Sequence, residues 1–131
     1  MFGGVENRLA AALFGIPAVR GVSFGDGFAA ASMRGSQHND PFVMDGGAVS
    51  VRTNHAGGVL GGITSGMPVV VNIAVKPTAS IGQAQDTVDL ETKTNTGLTI
   101  HGRHDPCIVP RAVPVAEAVT ALTLLDMIME G

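Results

Sequence analysis

Residues 53–106 bring together glycines, two cations and a carboxylate that could bind one ligand. The segment opens on two glycine pairs, runs through a strand that ends in Lys76, and closes on Arg103-His104-Asp105. Glycine has no Cβ and tolerates positive φ, so its backbone can approach a flat or bulky group. Lysine and arginine form charge-assisted hydrogen bonds with phosphate and carboxylate groups. The pattern therefore predicts a site for an anionic ligand that has a planar part.

The two glycine pairs allow a binding role and a structural one. Gly57-Gly58 and Gly61-Gly62 could direct backbone amides toward a phosphate or a ring. They could equally form a tight, closely packed turn. They are not a P-loop, because Met67 stands where that loop requires lysine, and the glycine spacing of dinucleotide-binding sites is absent.

The segments that contain Lys76 and Arg103 each allow a binding role and a structural one. Lys76 precedes the hydroxyls of Thr78 and Ser80 in a turn fixed by proline. That arrangement suits phosphate, although a solvated lysine at a strand end fits the pattern too. Arg103 and Asp105 offer an anion clamp beside a carboxylate, or else an ion pair that braces the turn before the next proline.

Three potential metal ligands, His101, His104 and Cys107, are spaced three residues apart. Zinc needs ligands that converge in a tetrahedral arrangement. Ligands at this interval would not converge on an extended segment interrupted by proline. We therefore predict no metal site.

A helix and a strand are predicted near the start of the chain. Val5, Leu9 and Leu13 lie four residues apart, as on one face of a helix, and the alanines between them favour helix. The glycine and proline that follow Phe14 end it. Residues 18–25 then read as a short strand with glycines at its edges.

The clearest strand is predicted over residues 68–76. Its valines and isoleucine fall on one face, whereas Asn72 and Lys76 share the other face, which we expect to look toward a polar cleft. A shorter alternation over residues 49–53 predicts a further strand that leads into the glycine pairs.

The remaining segments are less regular. Residues 28–47 contain turn signals and are predicted to form a long irregular segment. Residues 81–97 read as a polar, exposed excursion, and residues 98–100 as a short strand. A last helix is predicted to start at Pro114. Because almost all of its positions are apolar, we expect it to be buried on most sides, in a core or against another subunit.

Composition limits the class of protein. The 131 residues suit one domain, and charged residues make up only 15%, against about 25% in an average soluble domain. We therefore expect an oligomer or a piece of a longer chain. The net charge of −3 gives no basic field for nucleic acid. The single cysteine, the lack of an apolar run long enough to span a membrane and the lack of a signal peptide favour the cytoplasm.

Motifs along nearly the whole chain, in order, resemble those of the chorismate synthase family. The matching runs are Ile16-Pro17-Ala18-Val19-Arg20-Gly21-Val22, Phe24-Gly25-Asp26-Gly27-Phe28, Arg34-Gly35-Ser36, Asn54-His55-Ala56-Gly57-Gly58-Val59-Leu60-Gly61-Gly62-Ile63-Thr64, Lys76-Pro77-Thr78, Gly102-Arg103-His104-Asp105-Pro106-Cys107 and Pro110-Arg111-Ala112-Val113-Pro114-Val115. The resemblance implies an α+β fold, with residues 1–131 as a single domain from the C-terminal portion of a longer chain. In that fold, antiparallel sheet and packed helices form part of a β-α-β sandwich.

The resemblance also implies an activity. The family carries out the 1,4-anti elimination of phosphate from 5-enolpyruvylshikimate 3-phosphate to give chorismate, the last step of the shikimate pathway to the aromatic amino acids. It is a carbon-oxygen lyase reaction that needs reduced FMN but consumes no net reducing equivalents. The flavin is reduced by NADPH or by an external source, depending on the form of the enzyme. A cytoplasmic homotetramer is implied, in keeping with the charge-poor composition.

Site residues carry over from the family by position. Asp105 would lie near N5 of the flavin and take part in the proton relay, which requires a tuned pKa. The flavin contacts implied by the resemblance are Pro17, Ala18, Gly61, Lys76, Pro77, Thr78, Ala79, Ser80 and Arg103.

The resemblance covers only the C-terminal portion of the family's chain. The two catalytic histidines and most substrate-binding arginines belong to the N-terminal portion, and none of the four histidines here matches them. We therefore expect this chain alone to be inactive, whether it is an excised piece, a truncated product or half of a split enzyme. The alternative is a non-catalytic assembly module derived from the same fold. A generic anion-binding domain unrelated to the family is a weaker third possibility.

Overall fold

The computed structural model describes residues 2–130, and within them helices and strands alternate irregularly along the chain. The helices are α1 (Val5–Phe14), a 3₁₀ helix (Gly27–Ser32), α2 (Gly35–His38) and α3 (Val109–Glu130); the strands are β1 (Val19–Phe24), β2 (Phe42–Asp45), β3 (Ala48–Val51), β4 (Val59–Leu60), β5 (Ile63–Thr64), β6 (Val71–Val75), β7 (Gln85–Asp89) and β8 (Thr94–Leu98).

The strands form four antiparallel pairs among the described residues: β1–β6, β2–β3, β4–β5 and β7–β8. The predicted α+β class with antiparallel sheet and packed helices is therefore confirmed. A two-stranded sheet is only marginally stable by itself. The β1–β6 pair gains its support from the helices that pack on one of its faces.

Helix α1 forms the centre of the core. Its predicted inner face is confirmed, because Val5, Leu9 and Leu13 are all buried. Leu9 packs with Val59 of β4 at one end of the helix. Leu13 packs with Val19 of β1 at the other end. The helix thus links two apolar clusters, and each cluster is extended by side chains of α3.

Strand β6 behaves as its alternation predicts. Val71, Ile73 and Val75 are half-buried toward the helices, whereas Asn72 and Ala74 are exposed on the other face. β6 pairs antiparallel with β1, and the register shifts by one residue between Val19 and Gly21 of β1.

The predicted irregular segment over residues 28–47 is wrong in part. It contains most of the 3₁₀ helix, then α2 and the strand β2. β2 and β3 are joined by Gly46 and Gly47, whose φ values are 55° and 87°. Two consecutive positive-φ residues make the tight turn that favours hairpins. The glycines therefore form a turn, as predicted, but the turn connects two paired strands.

The polar segment over residues 81–97 is exposed, as predicted, but it is ordered as the β7–β8 hairpin. Asp89 closes the hairpin turn by accepting hydrogen bonds from the backbone N–H groups of Glu91 and Thr92 at 2.8 and 3.0 Å. The strand predicted over residues 98–100 is wrong, since β8 ends at Leu98 and residues 99–108 form neither helix nor strand.

Helix α3 differs from its prediction at its start. It begins at Val109, so Pro114 lies inside the helix. Pro110 occupies the first turn, where a missing N–H has no intrahelical partner to lose. Pro114 comes one turn later and leaves the carbonyl of Pro110 without its i+4 donor. The helix nevertheless continues for another four turns.

Within this chain α3 packs on one side only and none of its residues is fully buried, so burial of its other sides against another subunit stays a prediction. One side packs on α1, where Arg8 forms ion pairs with Asp126 and Glu130. Much of the rest of its surface is apolar and exposed, including Leu122 and Ile128. Contrary to the sequence-based expectation, α3 is long and apolar enough to cross a membrane by the criteria of length and composition.

Candidate functional site

Two of the predicted flavin-contacting segments meet where β1 begins and β6 ends. The backbone N–H of Lys76 donates to the carbonyl of Ala18 at 2.8 Å. Ala18 has a φ of 72°, a left-handed conformation that a residue with a Cβ adopts only at a cost. The surrounding fold holds this strained residue in place, and the neighbouring Pro17 is exposed. Pro17, Ala18 and Lys76 are therefore brought together.

The segment that follows Lys76 contains an unsatisfied hydroxyl. Thr78 Oγ1 is buried and has no hydrogen-bond partner within residues 2–130. A buried polar atom is normally paired with protein or water. Lys76 and Ser80 on either side are exposed. A cation, an orphaned hydroxyl and a second hydroxyl within five residues fit the phosphate of a nucleotide-like cofactor such as FMN.

The Arg103–Asp105 segment lies against the end of this run. His104 Nε2 donates to the carbonyl of Ile100 at 3.0 Å. A Cβ placed on Gly82 would lie 3.8 Å from His104 Cδ2, so the two segments are in contact. The guanidinium of Arg103 is exposed and forms no ion pair with any described residue.

The Arg103–Asp105 ion pair, the alternative that the sequence allowed, does not form. Asp105 instead accepts a hydrogen bond from Arg111 Nη1, with 3.0 Å between Nη1 and Oδ2. Arg111 is a residue that sequence reasoning gave no function. Its spacing of six from Asp105 carries no local signal, because the contact requires the chain to turn into α3 first.

Gly61 lies apart from the Ala18–Lys76 junction. It forms the turn of the β4–β5 hairpin with Gly62, at φ values of 60° and 85°. The carbonyl of Gly62 accepts from the N–H of Val5, the first residue of α1. Ala18 lies beyond the other end of α1, and ten helical residues rise about 15 Å. The structure therefore does not bring Gly61 to the Ala18–Lys76 junction.

A buried carboxylate within the predicted irregular segment 28–47 supports the glycine segment. Asp40 is 8% exposed. Its carboxylate accepts hydrogen bonds from Thr53 Oγ1 at 2.7 Å, His55 N at 2.9 Å and Ala56 N at 2.8 Å. Burial raises the pKa of this carboxyl, but the hydrogen bonds from Ala56, Thr53 and His55 outweigh burial and hold the pKa below its ordinary value.

Two glycine turns interlock beside Asp40. The carbonyl of His55 accepts from Asp26 N at 2.9 Å, and His55 Nδ1 lies 2.7 Å from Asp26 Oδ2. A Cβ on Gly57 would lie 2.3 Å from the backbone nitrogen of Gly25. The N–H of Val70 in turn donates to the carbonyl of Gly57 at 3.0 Å. Gly57 is thus required for packing, which is the structural interpretation of the first glycine pair.

Metal ligation finds no support in the part of the chain that the structure covers. No group of three or more histidine, cysteine, aspartate or glutamate side chains in residues 2–130 is placed to hold an ion. Cys107 is exposed and free.

The chain is similar to known proteins over its whole length. The family model described as chorismate synthase matches residues 1–129. A chorismate synthase of Dehalococcoides mccartyi is 53% identical over 131 residues, which are all of this chain and 36% of the relative. A chorismate synthase of Korarchaeum cryptofilum is 51% identical over the same span, and one of Archaeoglobus fulgidus is 53% identical over 132 residues.

A solved structure gives the same result for the fold. The crystal structure of a chorismate synthase superposes with a TM-score of 0.56 at 42% identity, covering 58% of this chain and 23% of that chain. This chain spans about 36% of the length of the curated relatives that it matches.

Proposed function

The chain belongs to the chorismate synthase family, and from this membership we propose that it is the C-terminal part of a lyase of aromatic amino-acid biosynthesis. The reaction is the 1,4-anti elimination of phosphate from 5-enolpyruvylshikimate 3-phosphate, which gives chorismate and inorganic phosphate. The substrate loses one proton from C6, and the electron pair of the C3–O bond leaves with the phosphate. The observation that carries the proposal is the family match over residues 1–129.

Reduced FMN is the proposed cofactor, and Lys76, Thr78 and Ser80 would hold its phosphate. When bound, the reduced flavin lends electron density that eases the loss of phosphate, with no net change of redox state. The orphaned hydroxyl of Thr78 supports this assignment, because a phosphate oxygen would accept its hydrogen bond. Arg103 supports it as an exposed cation next to the segment that contains Gly82.

Asp105 is the proposed proton acceptor on this chain. Its side chain is partly exposed, so a proton can reach the carboxylate, and Arg111 hydrogen-bonds one of its two oxygens. A general base must also come within hydrogen-bond reach of the proton that it removes. Gly61 is retained as a proposed flavin contact, at the far end of α1.

The remaining catalytic groups would come from a preceding portion of the enzyme. The chain spans about 36% of its relatives, and the family's two catalytic histidines match nothing in residues 1–131. We therefore propose that the 131-residue chain alone gives no measurable turnover. The complete assembly is proposed to be a cytoplasmic homotetramer.

Titration of FMN into the purified chain tests the cofactor site. Flavin fluorescence is followed with and without 5-enolpyruvylshikimate 3-phosphate, and chorismate is measured in parallel. We expect saturable binding that Thr78→Val and Arg103→Ala weaken, without chorismate formation. Arg52→Ala is the matched control, because Arg52 is an exposed arginine at the end of β3. Equal affinity of all four proteins would remove the proposed contacts, and family-like turnover by the chain alone would refute the need for a further portion.

A non-catalytic assembly module is the second candidate, and the exposed apolar side of α3 favours it. An apolar helix surface of this length marks an interface in a soluble protein. The module predicts oligomers without flavin binding. The enzyme fragment predicts binding that depends on Thr78, so the titration separates the two.

A further inference from the structure

Arg111 contacts the carboxylate that the proposed reaction uses. Its Nη1 lies 3.0 Å from Asp105 Oδ2, and the two side chains are 72% and 36% exposed. Arg111 belongs to the first turn of α3, where its backbone N–H donates to the carbonyl of Ile108 at 3.0 Å. The guanidinium is therefore attached to a rigid element.

Asp105, in contrast, lies in a segment without regular secondary structure that would hold its side chain in one orientation. Residues 99–108 form neither helix nor strand. Pro106 restricts the backbone of Asp105 to extended conformations but leaves its χ1 free to change rotamer. Among the described residues, Arg111 is the partner that hydrogen-bonds the carboxylate. The orientation of Asp105 thus depends on this contact.

The contact occupies one carboxylate oxygen and leaves the other available. An exposed ion pair contributes little to folding stability, so its main consequence is geometric. Arginine suits this task better than lysine, because its planar guanidinium presents donors in a fixed fork. We infer that Arg111 is a positioning residue for Asp105, which holds Oδ2 and leaves Oδ1 free to take part in the proton relay. This inference rests on the proposed function.

The pair is tested first in the chain itself by NMR of the arginine side-chain nitrogens. The Arg111 guanidinium signals should be resolved and slowed in exchange, and Asp105→Asn should return them to the behaviour of the exposed Arg52. Signals of Arg111 that are insensitive to Asp105→Asn would overturn the inference.

Kinetics then test the positioning. The chain is joined behind the residues that precede the matched segment in the Dehalococcoides mccartyi relative, and circular dichroism verifies that each variant is folded. Arg111→Met should lower kcat about 10- to 100-fold and leave KM within about threefold. Guanidinium ion added to Arg111→Met should restore part of kcat. Arg52→Met is the matched control and should leave both constants unchanged.

Each outcome separates this inference from the proposed function. If Asp105→Asn abolishes turnover but Arg111→Met does not lower it, the proposed function stands and the positioning is overturned. A raised KM at unchanged kcat would also overturn it, since Arg111 would then bind substrate. No turnover by the unsubstituted assembly, or full turnover by Asp105→Asn, would overturn the proposed function and this inference with it. Loss of kcat in Arg111→Met, together with a double variant that is no slower than Asp105→Asn alone, supports both.

Discussion

Replacing Asp40 with asparagine is expected to lower stability at neutral pH by an amount that the structure bounds. The asparagine carbonyl can still accept from Thr53 and His55, which both bond Oδ1. Its amide nitrogen, however, would face the N–H of Ala56, which now donates to Oδ2 at 2.8 Å. Two donors then oppose each other at a buried position, and an unsatisfied buried donor costs about 1–3 kcal/mol. With the loss of the charge-assisted bond, we expect a total of about 2 to 3 kcal/mol.

The change should be measurable by thermal unfolding. Unfolding entropy near 60 °C is about 2.1 cal/mol/K per residue. A loss of about 2 to 3 kcal/mol in a chain of 131 residues therefore lowers Tm by about 7 to 11 °C. Asp45→Asn is the matched control, because Asp45 is exposed at the end of β2 and surface substitutions away from hydrogen-bond networks are usually near neutral.

The pH dependence gives a second and independent check. The folded pKa of Asp40 lies below its ordinary value of 3.8, so the carboxylate contributes its stability in full above pH 3.8. That contribution is lost as the pH falls through the lower folded pKa, because the folded state must then take up a proton. The Tm difference between the native chain and Asp40→Asn should be constant from pH 7 to 5 and shrink below the ordinary pKa. Equal Tm values at pH 7, or a difference that does not shrink in acid, would refute the reasoning.

Three further predictions concern packing and backbone. Leu9→Ala should lower the free energy of unfolding, measured in urea, by about 2–5 kcal/mol, because Leu9 is fully buried. The control Leu122→Ala, at a 66% exposed position, should lower it little. Similar losses in both variants would contradict the core assignment. Gly57→Ala should prevent folding or cause aggregation, because its Cβ would lie 2.3 Å from the Gly25 nitrogen. The control Gly46→Ala has nothing within 4 Å of its Cβ and should cost only about 1–2 kcal/mol for its left-handed φ. Equal expression and equal Tm of the two variants would argue against the interlocked turns. Pro114→Ala should raise Tm, because the restored N–H returns a helical hydrogen bond and an interior proline costs about 3 kcal/mol; a lower Tm would mean that the proline is needed where it stands.

The elements that could be predicted from the sequence are those with a strong local period. Helix α1 and strand β6 each bury one face of a regular pattern, and both were placed within a few residues of their observed bounds. The hairpins were missed for different reasons. Gly46 and Gly47 were read as a turn signal inside an irregular segment, although a pair of glycines also makes the turn of a hairpin. β7 and β8 are almost wholly exposed, so no apolar alternation marks them.

The candidate site was predictable in its residue types but not in its contacts. The resemblance supplied Ala18 and Lys76, while the hydrogen bond that joins them depends on the register of β1 and β6. Asp40 acts across 13 to 16 residues on the segment that it supports. No periodic pattern in the sequence indicates such a contact, because the contact forms only when the loop folds back. Arg111 was quoted as part of a motif, and only the turn into α3 gives it a partner.

The proposed flavin contacts lie at two separate places on this chain, the Gly61 turn and the Ala18–Lys76 junction. α1 is a rigid spacer between the Gly61 turn and the Ala18–Lys76 junction, since both of its ends are anchored in apolar clusters. A single ligand could touch both places only by extending along the length of α1. Nothing lies within 4 Å of the position that a Cβ added to Gly61 would occupy, so its backbone is open to a ligand. Gly61 therefore remains a proposed contact at a place on this chain separate from Ala18, Lys76 and Thr78.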